Sequence, residues 1–178
     1  MTTAVLILSG GRSRRMGQDK AQLPLEGLPL LQWQKNRLQQ AGFQVIHGIA
    51  DNFPGYLGPL AGIEAALTKH PEIQRWLVLP VDMPSLSVEA LHGLLNAQPI
   101  DAAVISYKDQ PFPLLIRQPE QAVAVLQRWL VDANGRRSVR ALIDQLGTES
   151  AAMPLNNEQF NNINTPEQWR QFKEVELT

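Results

Sequence analysis

Val5-Leu6-Ile7-Leu8-Ser9-Gly10-Gly11-Arg12-Ser13-Arg14-Arg15-Met16-Gly17-Gln18-Asp19-Lys20 is the stretch that sets the terms for the rest of the chain. Its first four residues are all apolar and too few for a helix, so they read as a buried strand. Two glycines then open a loop that can take positive φ and lets backbone approach a ligand closely. Consecutive backbone N–H groups in such a loop form an anion-binding nest. Arg12, Arg14, Arg15 and Lys20 follow within ten residues of Gly11. A strand, a glycine turn and a dense cluster of cations point to a polyphosphate site. A helix terminus alone contributes only about 0.3–1 kcal/mol towards an anion. A triphosphate therefore needs formal positive charge, and this loop supplies it.

The loop is neither of the common phosphate loops. G-x-G-x-x-G is absent, and Gln18-Asp19 separate Gly17 from Lys20 where a Walker A loop would have Gly-Lys. The competing reading is a basic surface loop. A glycine pair directly after an apolar strand argues against it.

With 178 residues the chain predicts one domain, spanning 1–178, with a core of its own. Hydrophobic residues make up 44% and charged residues 19%, an ordinary globular balance. The absence of cysteine excludes disulfides and thiolate metal sites. A net charge of −1 gives no global field to recruit nucleic acid or an anionic membrane. No apolar run approaches the roughly 20 residues that span a bilayer. Met1-Thr2-Thr3 enters a strand without the plan of a signal peptide, so the expected location is the cytoplasm.

Beyond Lys20, the proline and glycine of Leu23–Leu30 predict a loop or short ribbon. Leu31–Ala41 predicts a helix with Leu31, Leu38 and Ala41 on one face and Gly42 as its stop. Phe43–Ile49 predicts a second strand. A loop then leads to Gly58-Pro59-Leu60-Ala61-Gly62. There Pro59 suits the first turn of a helix running to Lys69, and Gly58 lets a ligand sit against the backbone at its start. Read alone, this segment is equally a simple glycine-proline turn.

Trp76–Val81 is the third strong strand, and Asp82-Met83-Pro84-Ser85 follows it. An aspartate at the carboxyl end of a buried strand lies where open α/β sheets bind ligands. Carboxylate oxygen is the hard ligand that Mg²⁺ prefers, with phosphates completing its shell. The alternative is a turn or cap aspartate. Ser87 predicts a helix cap, and Asp101–Tyr107 and Leu114–Arg117 predict two strands. Two further helices are expected over Pro119–Asn134, with Trp129 in the core, and from about Val139 to Gly147. Arg136 and Arg137 lie between them, where a guanidinium fork suits phosphate oxygens or simply a solvated hairpin tip. Glu149–Met153 predicts an edge strand. Thr165-Pro166-Glu167 is a helix start explained by capping. Capping does not explain Asn162 and Asn164, which alternate and would share one face of a strand.

The glycine-arginine-lysine loop, Gly58–Gly62, the Asp82 box and Asn162–Pro166 together resemble the motifs of the molybdenum cofactor guanylyltransferases, within the MobA-like nucleotidyltransferases. They occur in the family's order and span nearly the whole chain. The resemblance implies a three-layer α/β/α sandwich with a Rossmann-like, mostly parallel sheet of the nucleotide-diphospho-sugar transferase type. It implies transfer of GMP from GTP to molybdenum-molybdopterin, with Mg²⁺ as cofactor. Cofactor-delivery or molybdoenzyme proteins are the expected partners. By the same resemblance Arg15, Lys20 and Asp82 are catalytic and Asp82 holds the metal. Leu8, Ser9, Gly10, Gly11, Lys20, Asp51, Gly58, Pro59 and Asp82 bind the nucleotide, and Arg137, Asn162 and Asn164 fall on the pterin side. The clearest departure from the family is that only Asp51–Leu57 separates the second strand from Gly58, where members have a further helix and strand; the glycine loop is also one residue shorter between Gly17 and Asp19 than in many members. Transfer from CTP, transfer to a sugar or alcohol phosphate, and nucleotide binding without turnover share the same phosphate loop.

Overall fold

The structure, a computed structural model, describes residues 1–10, 19–55, 57–150 and 157–176. Gly11, Arg15 and residues 151–153 of the expected edge strand therefore lie outside the described residues.

The apolar opening forms strand β1 (Thr3–Leu8). After a 3₁₀ turn at Lys20–Gln22, the proline-glycine segment folds as a two-stranded ribbon, β2 (Pro24–Leu25) and β3 (Leu28–Pro29). Its two-residue turn holds Glu26 and Gly27 at φ 49° and 78°, the left-handed pair that matches strand twist in tight hairpins. Helix α1 (Leu30–Gln40) ends at Gly42, whose φ of 87° suits its lack of a Cβ. Then come β4 (Gln44–His47), α2 (Pro59–Lys69), β5 (Arg75–Pro80), α3 (Val88–Leu95), β6 (Val104–Tyr107) and β7 (Leu114–Ile116). The chain continues through α4 (Pro119–Val131), α5 (Val139–Leu146), β8 (Gly147–Ser150), a 3₁₀ turn at Asn157–Phe160 and α6 (Pro166–Glu176).

Six strands form one sheet in the order β4-β1-β5-β7-β6-β8. All run in one direction except β7, which is antiparallel to both β5 and β6. The mostly parallel expectation holds, with one reversal. Residues alternate between the two faces. Val5, Ile7, Leu77, Leu79 and Leu115 pack with Leu30 and Leu38 of α1, Leu91 and Leu94 of α3, and Trp169 and Phe172 of α6. Ala4, Leu6, Trp76, Val78, Leu114 and Ile116 pack with Leu60 and Ile63 of α2, Leu126 and Trp129 of α4, and Leu142 and Ile143 of α5. Helices thus cover both faces, giving three layers. Among the described residues no helix is long and apolar enough to cross a membrane.

Two local expectations change. The buried stripe of α1 is Leu30, Gln34 and Leu38 rather than Leu31, Leu38 and Ala41. The helix begins one residue earlier and spends a core position on a glutamine, which apolar patterning passes over. Asn162 and Asn164 lie on irregular backbone rather than a strand. Ile163 is buried between them, and its N–H donates to the Asp82 carbonyl at 2.8 Å.

Candidate active site

Parallel pairing of β1 with β5 places Leu8 opposite Pro80, and the Val81 N–H donates to the Leu8 carbonyl at 2.9 Å. Ser9-Gly10 and Val81-Asp82 therefore leave the sheet side by side at its carboxyl edge. The segment after β4 leaves at the same edge. Between them lies a cavity of about 390 Å³.

Of the residues singled out from the sequence, Leu8, Ser9, Gly10, Lys20, Asp51, Gly58, Pro59, Asp82 and Asn162 line this one cavity. They come from six separate segments that the topology gathers. Lys20 is placed by the 3₁₀ turn that carries it. Asp19 caps that turn, its carboxylate accepting from the Ala21 N–H at 3.0 Å. The Lys20 ammonium donates to Asp82 Oδ2 at 2.7 Å and to Asn164 Oδ1 at 2.8 Å. Asn164 thus reaches the site through Lys20. Both charged side chains are mostly covered, at 14% and 17% exposure, so water screens their pairing less than at an open surface.

The backbone around Asp82 is held from several sides. The Ile163 N–H binds its carbonyl. Arg37 of α1 donates to the carbonyls of Pro84 and Leu86 at 3.0 and 2.6 Å. Gln159 accepts from the Ser87 N–H at 3.1 Å, and the Ser87 hydroxyl caps α3 through the Ala90 N–H. Such anchoring fixes a charged group before a substrate arrives.

Among the described residues Asp82 Oδ1 is buried with no hydrogen-bond partner. An orphaned carboxylate oxygen beside a phosphate-sized cavity fits a hard divalent cation. Among the described residues no group of three His, Cys, Asp or Glu side chains stands ready to hold a metal alone. A single carboxylate is within what Mg²⁺ needs from a protein, since it takes one or two carboxylates and completes its shell with phosphates and water. At the far side of the cavity burial raises the Asp51 carboxyl above its ordinary range, and the nearby Glu64 adds to the effect.

Arg137 is arranged differently. Its backbone carbonyl lies beside Gly58, 3.9 Å from where a Cβ on that glycine would stand. Its guanidinium turns away to the carboxyl end of α4, donating to the Trp129 and Asp132 carbonyls. The side chain does not line the cavity. Two contributors escape sequence reading. Phe112 lines the cavity from the loop before β7, and its proline-rich setting was the only signal. Arg37 carried none, because an arginine on an amphipathic helix reads as a solvated charge.

A family model for the MobA-like NTP transferase domain matches residues 5–51 and 45–148. A molybdenum cofactor guanylyltransferase of Xanthomonas euvesicatoria is 37% identical, over 92% of this chain and 90% of that protein. The crystal structure of molybdopterin-guanine dinucleotide biosynthesis protein A from Archaeoglobus fulgidus superposes with a TM-score of 0.66 at 24% identity, over 97% of each chain. A 4-diphosphocytidyl-2C-methyl-D-erythritol synthase from Anaerococcus prevotii superposes with a TM-score of 0.70 at 9% identity, over 99% of each. These two likenesses establish the fold alone.

Proposed function

We propose that this chain, which belongs to the MobA-like NTP transferase family, transfers GMP from GTP to molybdenum-molybdopterin. The products are molybdopterin guanine dinucleotide and pyrophosphate. The observation that carries this reading is the Lys20 ammonium, fixed between Asp82 and Asn164 on the cavity that Gly10 lines.

The terminal phosphate oxygen of the acceptor attacks the α-phosphorus of GTP. A P–O bond forms there, the bond from the α-phosphorus to the bridging oxygen breaks, and pyrophosphate leaves with the electron pair. The attacking phosphate is already an anion near neutral pH, so no side chain has to remove a proton. Catalysis is alignment and neutralised charge. Lys20 holds the triphosphate and the charge that gathers on the leaving pyrophosphate. Gly10 presents backbone without a side chain in the way, and a Cβ there would meet nothing within 4 Å. Gly11 and Arg15 complete this loop by the family resemblance. Asp51, Gly58 and Pro59 line the nucleoside side and Asn162 the acceptor side, with Asn164 acting there through Lys20.

Asp82 would hold Mg²⁺, which when bound would supply neutralisation of the phosphate charge. The chain acts as a single domain in the cytoplasm and meets cofactor-delivery or molybdoenzyme proteins there.

Mass spectrometry of the products tests the reading, after incubation with molybdenum-molybdopterin, Mg²⁺ and either GTP or CTP. A guanine dinucleotide from GTP alone is expected. A cytosine dinucleotide overturns the base assignment, and no product from either nucleotide overturns the activity.

A further inference from the structure

Glu64 takes no part in the chemistry above, yet it is a carboxylate buried to 1% exposure on α2. No cation pairs with it among the described residues. Three neutral donors hold it instead: Asn52 Nδ2 on Oε2 at 2.9 Å, and Thr68 Oγ1 and Gln127 Nε2 on Oε1 at 2.9 and 2.8 Å. A buried charge without a counter-charge is a costly way to join two helices, since an apolar pair would serve better. Its contacts show what else it does. Thr68 and Gln127 are on α2 and α4, but Asn52 is on the irregular segment between β4 and α2.

That segment is irregular in backbone. Gly48, Gly55 and Gly58 sit at φ 66°, 89° and 77°, and none of the described residues among 48–57 lies in a helix or strand. Among the described residues, Asn52 to Glu64 is the only hydrogen bond that residues 48–57 make. Asp51, next in the chain, lines the cavity. The charge of Glu64 is also felt at Asp51, whose carboxyl it helps to raise.

We propose that Glu64 is a positioning residue for the nucleoside end of the site: by anchoring Asn52 to α2 and α4 it holds Asp51 against the cavity. This inference rests on reading the cavity as the GTP site. A charged acceptor is suited to the task because its bonds to neutral donors are stronger than those between neutral groups. The link governs how tightly GTP is held and leaves the reacting phosphates untouched.

The test is isothermal titration calorimetry of the full chain with GTP, alongside steady-state turnover. Wild type is compared with Glu64→Ala, Glu64→Gln, Asn52→Ala and the double variant Glu64→Ala/Asn52→Ala. Glu64→Ala and Asn52→Ala each weaken GTP binding about tenfold, and KM rises while kcat stays within about twofold. The double variant is no weaker than Glu64→Ala, because both changes cut one link. Glu64→Gln stays within about threefold of wild type, since its amide keeps all three contacts once the Asn52 amide turns over. Asn52 is exposed, so Asn52→Ala decides the matter even if Glu64→Ala does not fold. Unchanged binding in Asn52→Ala, additive losses in the double variant, or a Glu64→Gln as weak as Glu64→Ala each overturns the inference. Wild type that fails to bind GTP would sink the guanylyltransferase reading instead, and the two failures are told apart by that control.

Discussion

Lys20 and Asp82 are 62 positions apart in the chain, and their charged groups meet at 2.7 Å. The pairing brings together the end of the glycine loop and the end of the central strand β5. One ammonium thereby serves the loop, the aspartate and, through Asn164, the C-terminal segment. Lys20 does not add to the fold as a surface ion pair would. It is a cation held between two partners at the cavity, which is where the proposed reaction needs positive charge.

Lys20→Ala should therefore lower turnover about a hundredfold or more, the size of losing one preorganised electrostatic group, roughly 2.7–4 kcal/mol of barrier. Circular dichroism should show an intact fold. Lys20→Arg should recover only part of the loss, because a planar fork does not reproduce a point charge. Near-normal kcat in Lys20→Ala would remove the residue from the mechanism.

Asp82→Ala makes the same demand on the other partner, with a different signature. Its Oδ1 has no hydrogen-bond partner among the described residues, and in the proposed reaction it is the oxygen that would take Mg²⁺. Chelation of divalent cations should abolish wild-type turnover, and added Mg²⁺ should restore it. Asp82→Ala should lose about a hundredfold or more in turnover, and raising Mg²⁺ should not rescue it. Mn²⁺ binding followed by electron paramagnetic resonance, with GTP present, should weaken in Asp82→Ala and persist in Lys20→Ala. Turnover that survives chelation would exclude the cation from the reaction.

The sheet was legible where the sequence makes physical commitments. Val5–Leu8 and Trp76–Val81 are continuous apolar runs, as expected of strands buried on both faces, and their carboxyl ends carry the glycine loop and Asp82. Position at one sheet edge brings those segments together, which is why residues from distant parts of the chain share a cavity. The reversal of β7 was not legible, because Leu114–Ile116 is three apolar residues with no information about direction. Arg37, Gln34 and Glu64 were hidden for a single reason: polar residues on helices are assigned to water by default. Here Gln34 and Glu64 are 0% and 1% exposed.

Asp51 gives a pH dependence with a definite sign. Its folded carboxyl titrates above its ordinary value, through burial first and Glu64 second. A carboxyl raised on folding contributes stability that is fully present below its unfolded pKa and is lost as pH rises through the folded value. Urea unfolding from about pH 4 to pH 7 should therefore show a decline in wild type that is smaller in Asp51→Asn. Carboxyl ¹³C shifts should place the Asp51 titration above the ordinary value of an aspartate. An Asp51 titration at or below that reference would contradict the raised value.

Gly58 is held at φ 77° and ψ −165° immediately before α2, a combination open almost only to glycine. Gly58→Ala should cost about 1–3 kcal/mol in urea unfolding, through backbone strain alone. An added Cβ meets only the Arg137 carbonyl, at an ordinary 3.9 Å. Because Gly58 also lines the cavity, relief of the strain should disturb the nucleotide site, and GTP binding should weaken together with stability. A variant as stable as wild type would show that the turn can be made another way.

Arg137 separates a charge aimed at substrate from a charge aimed at the fold. Its guanidinium satisfies carbonyls at the end of α4, where a helix leaves acceptors without partners and carries partial negative charge. Arg137→Ala should lower the melting temperature, because those carbonyls lose charge-assisted partners worth roughly 1.5–3 kcal/mol each when buried and less where water replaces the donor. KM for molybdenum-molybdopterin should change by less than about twofold, since no ground-state contact is removed. A large rise in that KM with an unchanged melting temperature would mean that the side chain leaves α4 and reaches the acceptor. In that event the interhelical arginine, and not the helix end, would be what this position serves.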